Sequence, residues 1–399
     1  VLNAGSSSLK YQLFDFPKKS VLVSGLVERI GEAKGQIKHK LNESDNTVTE
    51  ETEITDHQMA LQKVASLLLH GDTAVVSKST DIQAVGHRLV HGGEKFSAPT
   101  VIDSEEIINE LEKLSYLAPL HNPANITGIK VARQVFPLAR QVAVFDTAFH
   151  QTLPDHAFRY ALPNELYTEH GLRAYGFHGT SHHYVARTGA QFLGIKEDKF
   201  DAISIHLGNG CSITAIKGGK SADTSMGLTP MGGLMMGSRP GDFDPSLVLF
   251  LAKNLKMSLS DIDTLLNKKS GLKGLTGEND LREILKRYDE KDPQARLAIQ
   301  MYIYRIKKYI GAYAAVLGRL DAIIFTAGVG ENSAFIREGV CSNLEILGVE
   351  LDKDLNSADS RETREIQSPI SKVKLIVVPT NEELEIANQT ERLLTLETK

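Results

Sequence analysis

The sequence predicts a mixed α/β protein. Short runs rich in apolar and β-branched residues recur along the chain, and helical segments with recognisable capping residues separate them. The runs are almost continuously apolar, which is typical of strands buried on both faces of a sheet. The length of 399 residues allows two or three domains, and 41% hydrophobic with 24% charged residues is ordinary for a globular protein. This composition excludes intrinsic disorder as the main state, and also collagen-like and coiled-coil chains.

Strands and helices can be placed from local signals. Strands are expected at 84–86, 141–145, 202–206, 322–326 and 374–379. Helices should begin where a capping residue precedes proline, because proline is favoured in the first turn. These starts are Asn122-Pro123, Asp244-Pro245 and Asp292-Pro293, with helix ends near 137, 255 and 317. Another helix should begin at Thr180/Ser181 and end at Gly194, and the last should follow Asn381.

Charge and cysteine content narrow the functional class. The net charge of -5 argues against sequence-independent binding to nucleic acid. Two cysteines are too few for a disulfide framework or a cysteine-based zinc site, and they favour reduced thiols in a cytoplasmic protein. No apolar run approaches the length of a membrane span, and no signal peptide is apparent. Because Val1 is not Met, we expect a few residues to precede it.

One pattern occurs twice. Residues 1–14 contain an apolar strand, an Asn-Ala-Gly-Ser-Ser-Ser turn and a second strand, and residues 203–216 repeat this plan around Leu-Gly-Asn-Gly-Cys-Ser. Such turns leave backbone N–H groups available and allow positive φ, so they can cradle phosphate oxygens. Two ordinary tight hairpins are the alternative, since Asn-Gly is a favoured turn. The matching positions in the two halves favour a duplicated domain with a nucleotide in the cleft.

Two common phosphate-binding motifs are excluded. A P-loop needs a glycine, four intervening residues and then Gly-Lys-Ser/Thr, but Thr214 stands in place of the first glycine before Gly219-Lys220-Ser221. A GxGxxG fingerprint fails as well, because Gly328-Val329-Gly330 continues to Ser333. The common nucleotide folds that depend on these motifs are therefore not expected.

Polar and charged residues follow several expected strands. Residues 6–8 and Lys10 crowd the first hairpin turn, where hydroxyls and a cation suit phosphate oxygens and a metal-bound water. Arg88 precedes Gly92-Gly93, which permits close backbone approach; a surface arginine is the alternative. Asp146 ends a buried strand, at the edge where open α/β sheets bind ligands; capping of the next turn is the alternative.

Basic residues also occur in two later segments. His178 and His182 are four residues apart, which allows a zinc pair on one helix face, but no HExxH glutamate lies between them. A role for His178 at a transferring phosphoryl group is preferred. Arg239 lies in a loop rich in glycine and proline, and together with Arg88 it can neutralise a phosphoryl transition state.

Two junctions between a strand and a helix are the remaining candidate ligand-binding segments. Residues 325–332 are mostly small and would let an adenine ring lie against the backbone, before a helix capped near Asn332/Ser333. Glu382 and Glu383 follow the last strand, at the start of the last helix. Carboxylates at that point suit Mg²⁺ bound through water.

Together these motifs resemble the acetate kinase family, within the superfamily of acetate and sugar kinases, heat-shock chaperones and actin. The resemblance covers essentially the whole chain and rests on VLNAGSSSLK, HRLVHGG, AVFDTAFH, YGFHGTSHHYV, HLGNGCS, DTSMGLTPMGGLMMGSRPGDFDP, FTAGVGEN and PTNEE, in family order. It implies a duplicated, two-domain actin-like (ribonuclease H-like) α/β fold with the nucleotide in the interdomain cleft. Residues 1–146 would form the N-terminal domain and 147–381 the nucleotide-binding and dimerisation domain, with a helix at about 382–399 returning to the first.

The same resemblance implies a reversible, Mg²⁺-dependent transfer of the γ-phosphoryl group of ATP to acetate by direct in-line displacement, in a homodimer, with Mn²⁺ as a possible substitute for Mg²⁺. Its catalytic residues would be Arg88, Asp146, His178 and Arg239. Acetate would bind at Arg88, Val90, Leu120, His121, Phe177 and Pro230. The nucleotide would bind at Ser8, Lys10, His206, Gly208, Asn209, Gly210, Gly328, Gly330, Glu331 and Asn332, and Mg²⁺ at Asn3 and Glu382.

Several alternatives stay open. A propionate or other short-chain acyl kinase would share these motifs, although the resemblance suggests that Val90 narrows the pocket toward acetate. A chaperone-like or filament-forming ATPase of the same superfamily would need a further peptide-binding domain or an assembly surface. A sensor of acyl phosphates would lack Arg88, Asp146 or Arg239, which are all present. A covalent phosphoenzyme is the mechanistic alternative to direct transfer.

Overall fold

The computed structural model describes residues 1–16, 18–44 and 46–397. The chain divides into two compact units: unit 1 comprises Val1–Ala148 and Asn381–Lys399, and unit 2 comprises Phe149–Thr380. The sequence-based boundaries after 146 and after 381 lie within two residues of these divisions. The last two residues of the helix expected at 382–399 lie outside the described residues.

Unit 1 contains a mixed sheet with helices on its faces. Its strands are β1 (Leu2–Ala4), β2 (Ser8–Asp15), β3 (Ser20–Glu28), β4 (Gly35–Leu41), β5 (Thr47–Thr52), β6 (Ala84–Leu89), β7 (Thr100–Val101) and β8 (Arg140–Phe145). Its first helices are α1 (His57–Leu69), α2 (Glu105–Lys113) and α3 (Asn122–Val135). Among the described residues the strand order is β5-β4-β3-β2-β1-β6-β8-β7.

Unit 2 contains a second mixed sheet and more helices. Three helices precede its hairpins: α4 (Asp155–Phe158), α5 (Asn164–Thr168) and α6 (Gly179–Phe192). The strands β9 (Ala202–Leu207), β10 (Cys211–Lys217) and β11 (Lys220–Thr224) come next. Five helices follow: α7 (Ser246–Asn254), α8 (Leu259–Lys268), α9 (Gly271–Thr276), α10 (Leu281–Asp289) and α11 (Pro293–Leu317). The rest of the unit is β12 (Ala322–Thr326), α12 (Ala327–Asn332), α13 (Ala334–Cys341), α14 (Lys353–Ser357), β13 (Arg364–Glu365) and β14 (Lys374–Val377). The last helix, α15 (Glu382–Glu397), belongs to unit 1.

The two sheets share one topology. In unit 1 the order β3-β2-β1-β6-β8 corresponds to β11-β10-β9-β12-β14 in unit 2. Both begin with antiparallel neighbours and continue with parallel ones, because β1 pairs in parallel with β6 and β9 with β12. The two hairpins singled out in the sequence, β1–β2 and β9–β10, hold the same place in the two sheets. The expected duplicated α/β fold is therefore confirmed.

Packing on both faces explains the apolar strands of unit 1. Alternate residues of β8 point in opposite directions, as they must in a strand. Val142 and Val144 pack with Ile386 of α15, whereas Ala143 and Phe145 belong to a cluster that includes Ile126 of α3. The continuous hydrophobicity of this strand therefore reflects a helix on each side of the sheet. None of the helices that the structure describes is both long and apolar enough to cross a membrane.

Several expected helix starts are wrong by one or two residues. Asn122 does not cap α3; His121 holds the cap position, because the side chain of Asn122 bonds the backbone N–H and carbonyl of His91. Helix α6 begins at Gly179 instead of Thr180/Ser181 and ends at Phe192. Helix α7 begins at Ser246 with Pro245 as its cap residue, and β14 ends at Val377. Helix α11 spans Pro293–Leu317 as predicted.

Candidate active site

The candidate site of unit 1 is built around an ion pair at the ends of two parallel strands. Arg88 is the penultimate residue of β6, and Asp146 follows β8 directly. Nη2 of Arg88 donates to Oδ2 of Asp146 at 2.6 Å, and Nε donates to Oδ1 at 3.3 Å. Burial alone would lower the pKa of Arg88, but Asp146, Glu382 and Glu383 offset that effect and raise it. Arg88 is therefore a permanent cation in a bidentate pair.

Two further carboxylates join this cluster at the start of α15. Oδ1 of Asn381 accepts from the backbone N–H of Leu384 at 2.9 Å and so caps the helix. Glu383 forms an ion pair with Lys10 on β2. Burial raises the pKa of Glu382, although Arg88 opposes the shift. Oε1 of Glu382 is enclosed and has no hydrogen-bond partner among the described residues, so it can accept a cation.

Helix α3 ties together two loops of unit 1. Nδ2 of Asn125 donates to the carbonyl of Ala4 at 2.5 Å, and its Oδ1 accepts from the N–H of Val90 at 3.2 Å. The first loop follows Asn3 on β1, and the second follows Arg88 on β6. Sequence reasoning missed Asn125, because nothing in the helical pattern around it marks a side chain that bridges two loops.

Two histidines of unit 2 lie against each other. His178 precedes α6 as its cap residue with φ of 56°, in the left-handed region. Its ring stacks on that of His206 at the end of β9, with 4.2 Å between ring centroids and 23° between planes. A non-glycine residue with positive φ often marks a functional constraint. Here the backbone turn aims the His178 ring at the hairpin of β9 and β10.

Three nitrogen atoms surround the glycine tip of that hairpin. A Cβ built on Gly210 would lie 3.3 Å from Nε2 of His178 and 3.9 Å from Nη2 of Arg239. A Cβ built on Gly208 would lie 3.9 Å from Nε2 of His206. Arg239 is held in place by its Nη1, which donates to the carbonyl of Pro230 at 2.5 Å. Side-chain nitrogens of two histidines and an arginine therefore lie close to the tip, where an anion would meet them. The binding of phosphate by the turn, expected from its composition, stays a prediction.

The hairpin tip is also held from outside the strands. The N–H of Gly237 donates to the carbonyl of Asn209 at 3.0 Å, and a Cβ on Gly237 would lie 2.0 Å from Oδ1 of Asn209. Cys211 donates its S–H to the carbonyl of Gly208 at 3.3 Å and contacts the hydroxyl of Tyr302 at 3.3 Å. Cys211 thus packs beneath the turn.

The loop expected at the adenine forms a short helix, α12. Asn332 donates from Nδ2 to the carbonyl of Gly328 at 2.8 Å, and Oε1 of Glu331 accepts from the N–H of Thr380 at 3.0 Å. Buried Arg337 on α13 donates to the carbonyls of Gly330 and Glu331 at 2.9 and 2.8 Å. The backbone of this loop is therefore fixed by a guanidinium that the sequence analysis did not single out. A Cβ on Gly328 would meet nothing within 4 Å, so the loop is open at that residue.

The histidine pair suggested for zinc is not arranged for a metal. Nδ1 of His182 lies 2.9 Å from the Ser204 hydroxyl, and Nε2 lies 3.0 Å from the Ser212 hydroxyl. Burial, with smaller effects from neighbouring histidines, lowers its pKa well below the ordinary value. His182 is a neutral core residue with both nitrogens engaged, which argues against zinc at this place.

The residues expected around the acetate methyl group differ in exposure. In unit 1 Val90 is half-buried, whereas Leu120 is 69% exposed and His121 is exposed. In unit 2 Phe177 is buried and its carbonyl lies 3.0 Å from Nε2 of His150, while Pro230 is half-buried. Of the residues expected at the phosphates, Ser8 and Asn3 are half-buried and Lys10 is exposed beside its partner Glu383.

Comparison with known proteins gives concordant results. The model described as the acetokinase family matches residues 1–388. The acetate kinase of Flavobacterium johnsoniae is 50% identical over 394 residues, which cover 99% of this chain and 98% of that protein. The crystal structure of Porphyromonas gingivalis acetate kinase has a TM-score of 0.94 and 46% identity, with 98% of each chain covered. A propionate kinase from Francisella tularensis has a TM-score of 0.89 and 41% identity, again with 98% of each chain covered.

Proposed function

The chain belongs to the acetokinase family, and from that premise we propose that it transfers the γ-phosphoryl group of ATP to acetate, forming acetyl phosphate and ADP reversibly. The observation that carries the proposal is the bidentate pair of Arg88 and Asp146 at the ends of two parallel strands. It supplies a fixed cation whose geometry suits a carboxylate or a phosphoryl group. The donors around the glycine tip of unit 2 support binding of the nucleotide phosphates.

The proposed roles follow from the barrier of the reaction. Acetate is already a nucleophile, so no strong general base is needed. The obstacle is repulsion between two anions and their alignment, and cations that contact both remove much of it. Arg88 orients acetate and is itself held by Asp146. His178 and Arg239 contact the transferring phosphoryl group, which passes directly to acetate without a phosphoenzyme.

Magnesium fits the carboxylate cluster of unit 1. The enclosed Oε1 of Glu382 lacks a hydrogen-bond partner among the described residues, and oxygen ligands are those that Mg²⁺ prefers. Glu382 would hold the ion, directly or through water, with the amide oxygen of Asn3. When bound, the ion neutralises charge on the nucleotide phosphates. Mn²⁺ prefers similar ligands and is expected to substitute.

We also propose a cytoplasmic homodimer that associates through unit 2. No residue of α7 is buried, although its sequence SLVLFLAKN is largely apolar. Leu247, Leu249 and Phe250 are 48%, 57% and 51% exposed. An apolar helix face of this kind is typical of an interaction site, and a second copy of the chain is the proposed occupant. Neither Cys211 nor Cys341 forms a disulfide, which suits a reducing compartment.

Propionate is the second candidate acceptor, because a propionate kinase is among the similar solved structures. One additional methylene changes binding in an apolar pocket by only about 1–3 kcal/mol, so the preference can be modest. Measurement of kcat/KM for acetate, propionate and butyrate separates the candidates. A higher value for propionate would replace acetate as the proposed substrate.

Hydroxylamine trapping tests the proposed reaction. The protein is incubated with ATP, Mg²⁺, acetate and hydroxylamine, and acetohydroxamate is measured. Hydroxamate should form only when acetate and ATP are both present. A folded protein that forms no hydroxamate, or that hydrolyses ATP equally fast without acetate, would contradict the proposal. Arg282→Ala, which removes an arginine on α10 that is 86% exposed, is a control expected to retain activity.

A further inference from the structure

A chain of polar groups links His206 to the α12 loop within unit 2. Nδ1 of His206 lies 2.8 Å from the hydroxyl oxygen of Ser181 on α6. The same oxygen lies 2.8 Å from the hydroxyl oxygen of Thr380. The backbone N–H of Thr380 donates to Oε1 of Glu331 at 3.0 Å. None of these contacts follows from the motifs that suggested a kinase, since Ser181 and Thr380 are 199 residues apart.

Burial holds the imidazole of His206 in one orientation. His206 is 7% exposed and Ser181 is fully buried. One face of the ring stacks on His178, and His182 packs at a tilt with 6.2 Å between centroids. With Nδ1 at Ser181, Nε2 is directed toward Gly208 in the hairpin tip. A flip of the ring would break the contact between Nδ1 and the buried Ser181 hydroxyl.

The hydrogen bonds that join Thr380, Ser181 and His206 can be donated in either of two directions. Neutral imidazole has one N–H, and each hydroxyl can donate one proton. If Thr380 donates to Ser181 and Ser181 donates to Nδ1, then Nε2 carries the ring proton. If the ring donates from Nδ1 to Ser181, then Nε2 presents a lone pair to the tip. For a neutral ring, only the first direction makes Nε2 of His206 a hydrogen-bond donor beside His178 and Arg239.

We propose that Ser181 and Thr380 are positioning residues that keep Nδ1 of His206 an acceptor, so that its Nε2–H donates to a phosphoryl oxygen at the hairpin tip. This inference rests on the proposed function and deepens it. The reason is electrostatic: a lone pair on Nε2 would repel the anion that Nε2 of His178 and Nη2 of Arg239 are placed to attract. The hydrogen bond that one ring nitrogen makes decides which of the two nitrogens of a neutral imidazole carries the proton.

Thr380 can act in this way because its backbone is also fixed. Its N–H is bonded to the carboxylate of Glu331, and the backbone of Glu331 is bonded in turn to buried Arg337. Two contacts therefore set the position of the Thr380 hydroxyl relative to Ser181. They also give the side chain of Glu331 a positioning role within the protein.

Kinetics of three variants test the proposal. Ser181→Ala removes the hydroxyl that lies 2.8 Å from Nδ1, and should lower kcat by about tenfold or more. Thr380→Val keeps the shape of the side chain but leaves Ser181 without its donor, and should lower kcat by about threefold to tenfold. Thr380→Ser retains the hydroxyl and should stay within about twofold of the parent. The KM for acetate should change little in all three, since Arg88 and the methyl pocket are untouched.

The kinetic test has a matched control, and two results would contradict the proposed positioning role. Thr73→Val removes a buried hydroxyl bonded to the carbonyl of Leu67 at 2.8 Å in unit 1, and should leave kcat unchanged. If Thr380→Ser is impaired as much as Thr380→Val, packing and not the hydroxyl matters at this residue. If Ser181→Ala retains full kcat, the proposal is overturned.

The tautomer itself gives a readout that does not depend on activity. Protein labelled with ¹⁵N-histidine is studied by NMR, and the His206 signals are assigned by their loss in His206→Gln. We expect an unprotonated Nδ1 and a protonated Nε2 in the parent protein. A protonated Nδ1, in either a neutral or a charged ring, would overturn the inference. Failure of the proposed function can be told apart from failure of this inference. In that case no hydroxamate would form, although NMR would still show the expected tautomer of His206.

Discussion

Nη2 of Arg88 donates to Oδ2 of Asp146 at 2.6 Å, while the Asp146 side chain is 3% exposed and that of Arg88 is 20% exposed. The two residues are 58 positions apart in sequence but lie on neighbouring parallel strands. A charge pair with so little access to water is sensitive to the loss of either member, because the remaining charge is left without compensation.

The effects of substituting Arg88 and Asp146 should therefore not be additive. Arg88→Ala and Asp146→Asn are each expected to lower kcat by about a hundredfold or more, because each removes a charge that orients the reacting anions. The double variant should be scarcely worse than either single variant. The measurement is the rate of hydroxamate formation, with Arg282→Ala as the surface control. Losses that multiply in the double variant would show that the two residues act independently.

Gly237 is expected to control the position of Asn209. A Cβ on Gly237 would lie 2.0 Å from Oδ1 of Asn209, so Gly237→Ala must displace that side chain from the hairpin tip. We expect KM for ATP to rise by about tenfold, with a smaller change in KM for acetate. Gly311→Ala on α11 is the matched control, because nothing lies within 4 Å of a Cβ there. An unchanged KM for ATP in Gly237→Ala would remove Asn209 from the proposed nucleotide site.

His87 should make unit 1 less stable in mild acid. Burial lowers the pKa of His87 from 6.5 to about 4, and its Nε2 contacts Oε1 of Gln141 at 2.8 Å. Below pH 6.5 the unfolded chain takes up a proton that the folded chain refuses, so stability falls as the pH drops from 6.5 to 4. The loss from this one group should reach about 3 kcal/mol near pH 4.

Thermal unfolding at several pH values checks this effect. His87→Gln should show a shallower fall in the unfolding temperature between pH 6.5 and pH 4, because it removes one group that the unfolded state protonates. His70→Gln, at an exposed position after α1, should keep the pH dependence of the parent. Identical slopes for His87→Gln and the parent protein would count against a neutral buried His87.

Both thiols should be inert in the native protein. Burial raises the pKa of Cys211 to about 11 and that of Cys341 to about 12. The thiolate is the reactive form, so iodoacetamide at neutral pH should label neither residue and should leave activity intact. Mass spectrometry should show two labels only after denaturation. Rapid labelling of native Cys211 together with inactivation would mean that the hairpin tip opens readily.

The apolar face of α7 gives a test of the oligomeric state. Phe250→Glu places a charge on the face that Phe250 shares with Leu247, and should convert the proposed dimer to a monomer at micromolar concentration. Light scattering coupled to size exclusion reports the mass. Leu138→Glu, at a residue of unit 1 that is 74% exposed, is the control and should leave the mass unchanged. A dimer that persists in Phe250→Glu would require another interface.

Local signals predicted much of the fold. The strands around residues 84, 141, 202, 322 and 374 were located by apolar runs, and helix α11 was located by Asp292-Pro293 at its start. The start of α6 was placed too late, because His178 adopts a left-handed backbone conformation and takes the cap position that Thr180 or Ser181 would normally hold. The short helix α12 was missed because its sequence, AGVGEN, has little helical propensity and depends on Arg337 for its geometry.

The sequence by itself determined the buried strands near residues 84, 141, 202, 322 and 374, the two hairpins and the identity of the charged residues near strand ends, because these depend on turn chemistry and on spacing within a few residues. Only the tertiary structure decided that Asn125 joins Ala4 to Val90, and that Thr380 reaches Ser181 across 199 positions. Such contacts depend on strand register and on how helices pack against a sheet. Spacing along the chain carries no record of them, because each partner alone looks like an ordinary polar residue in a helix or a turn.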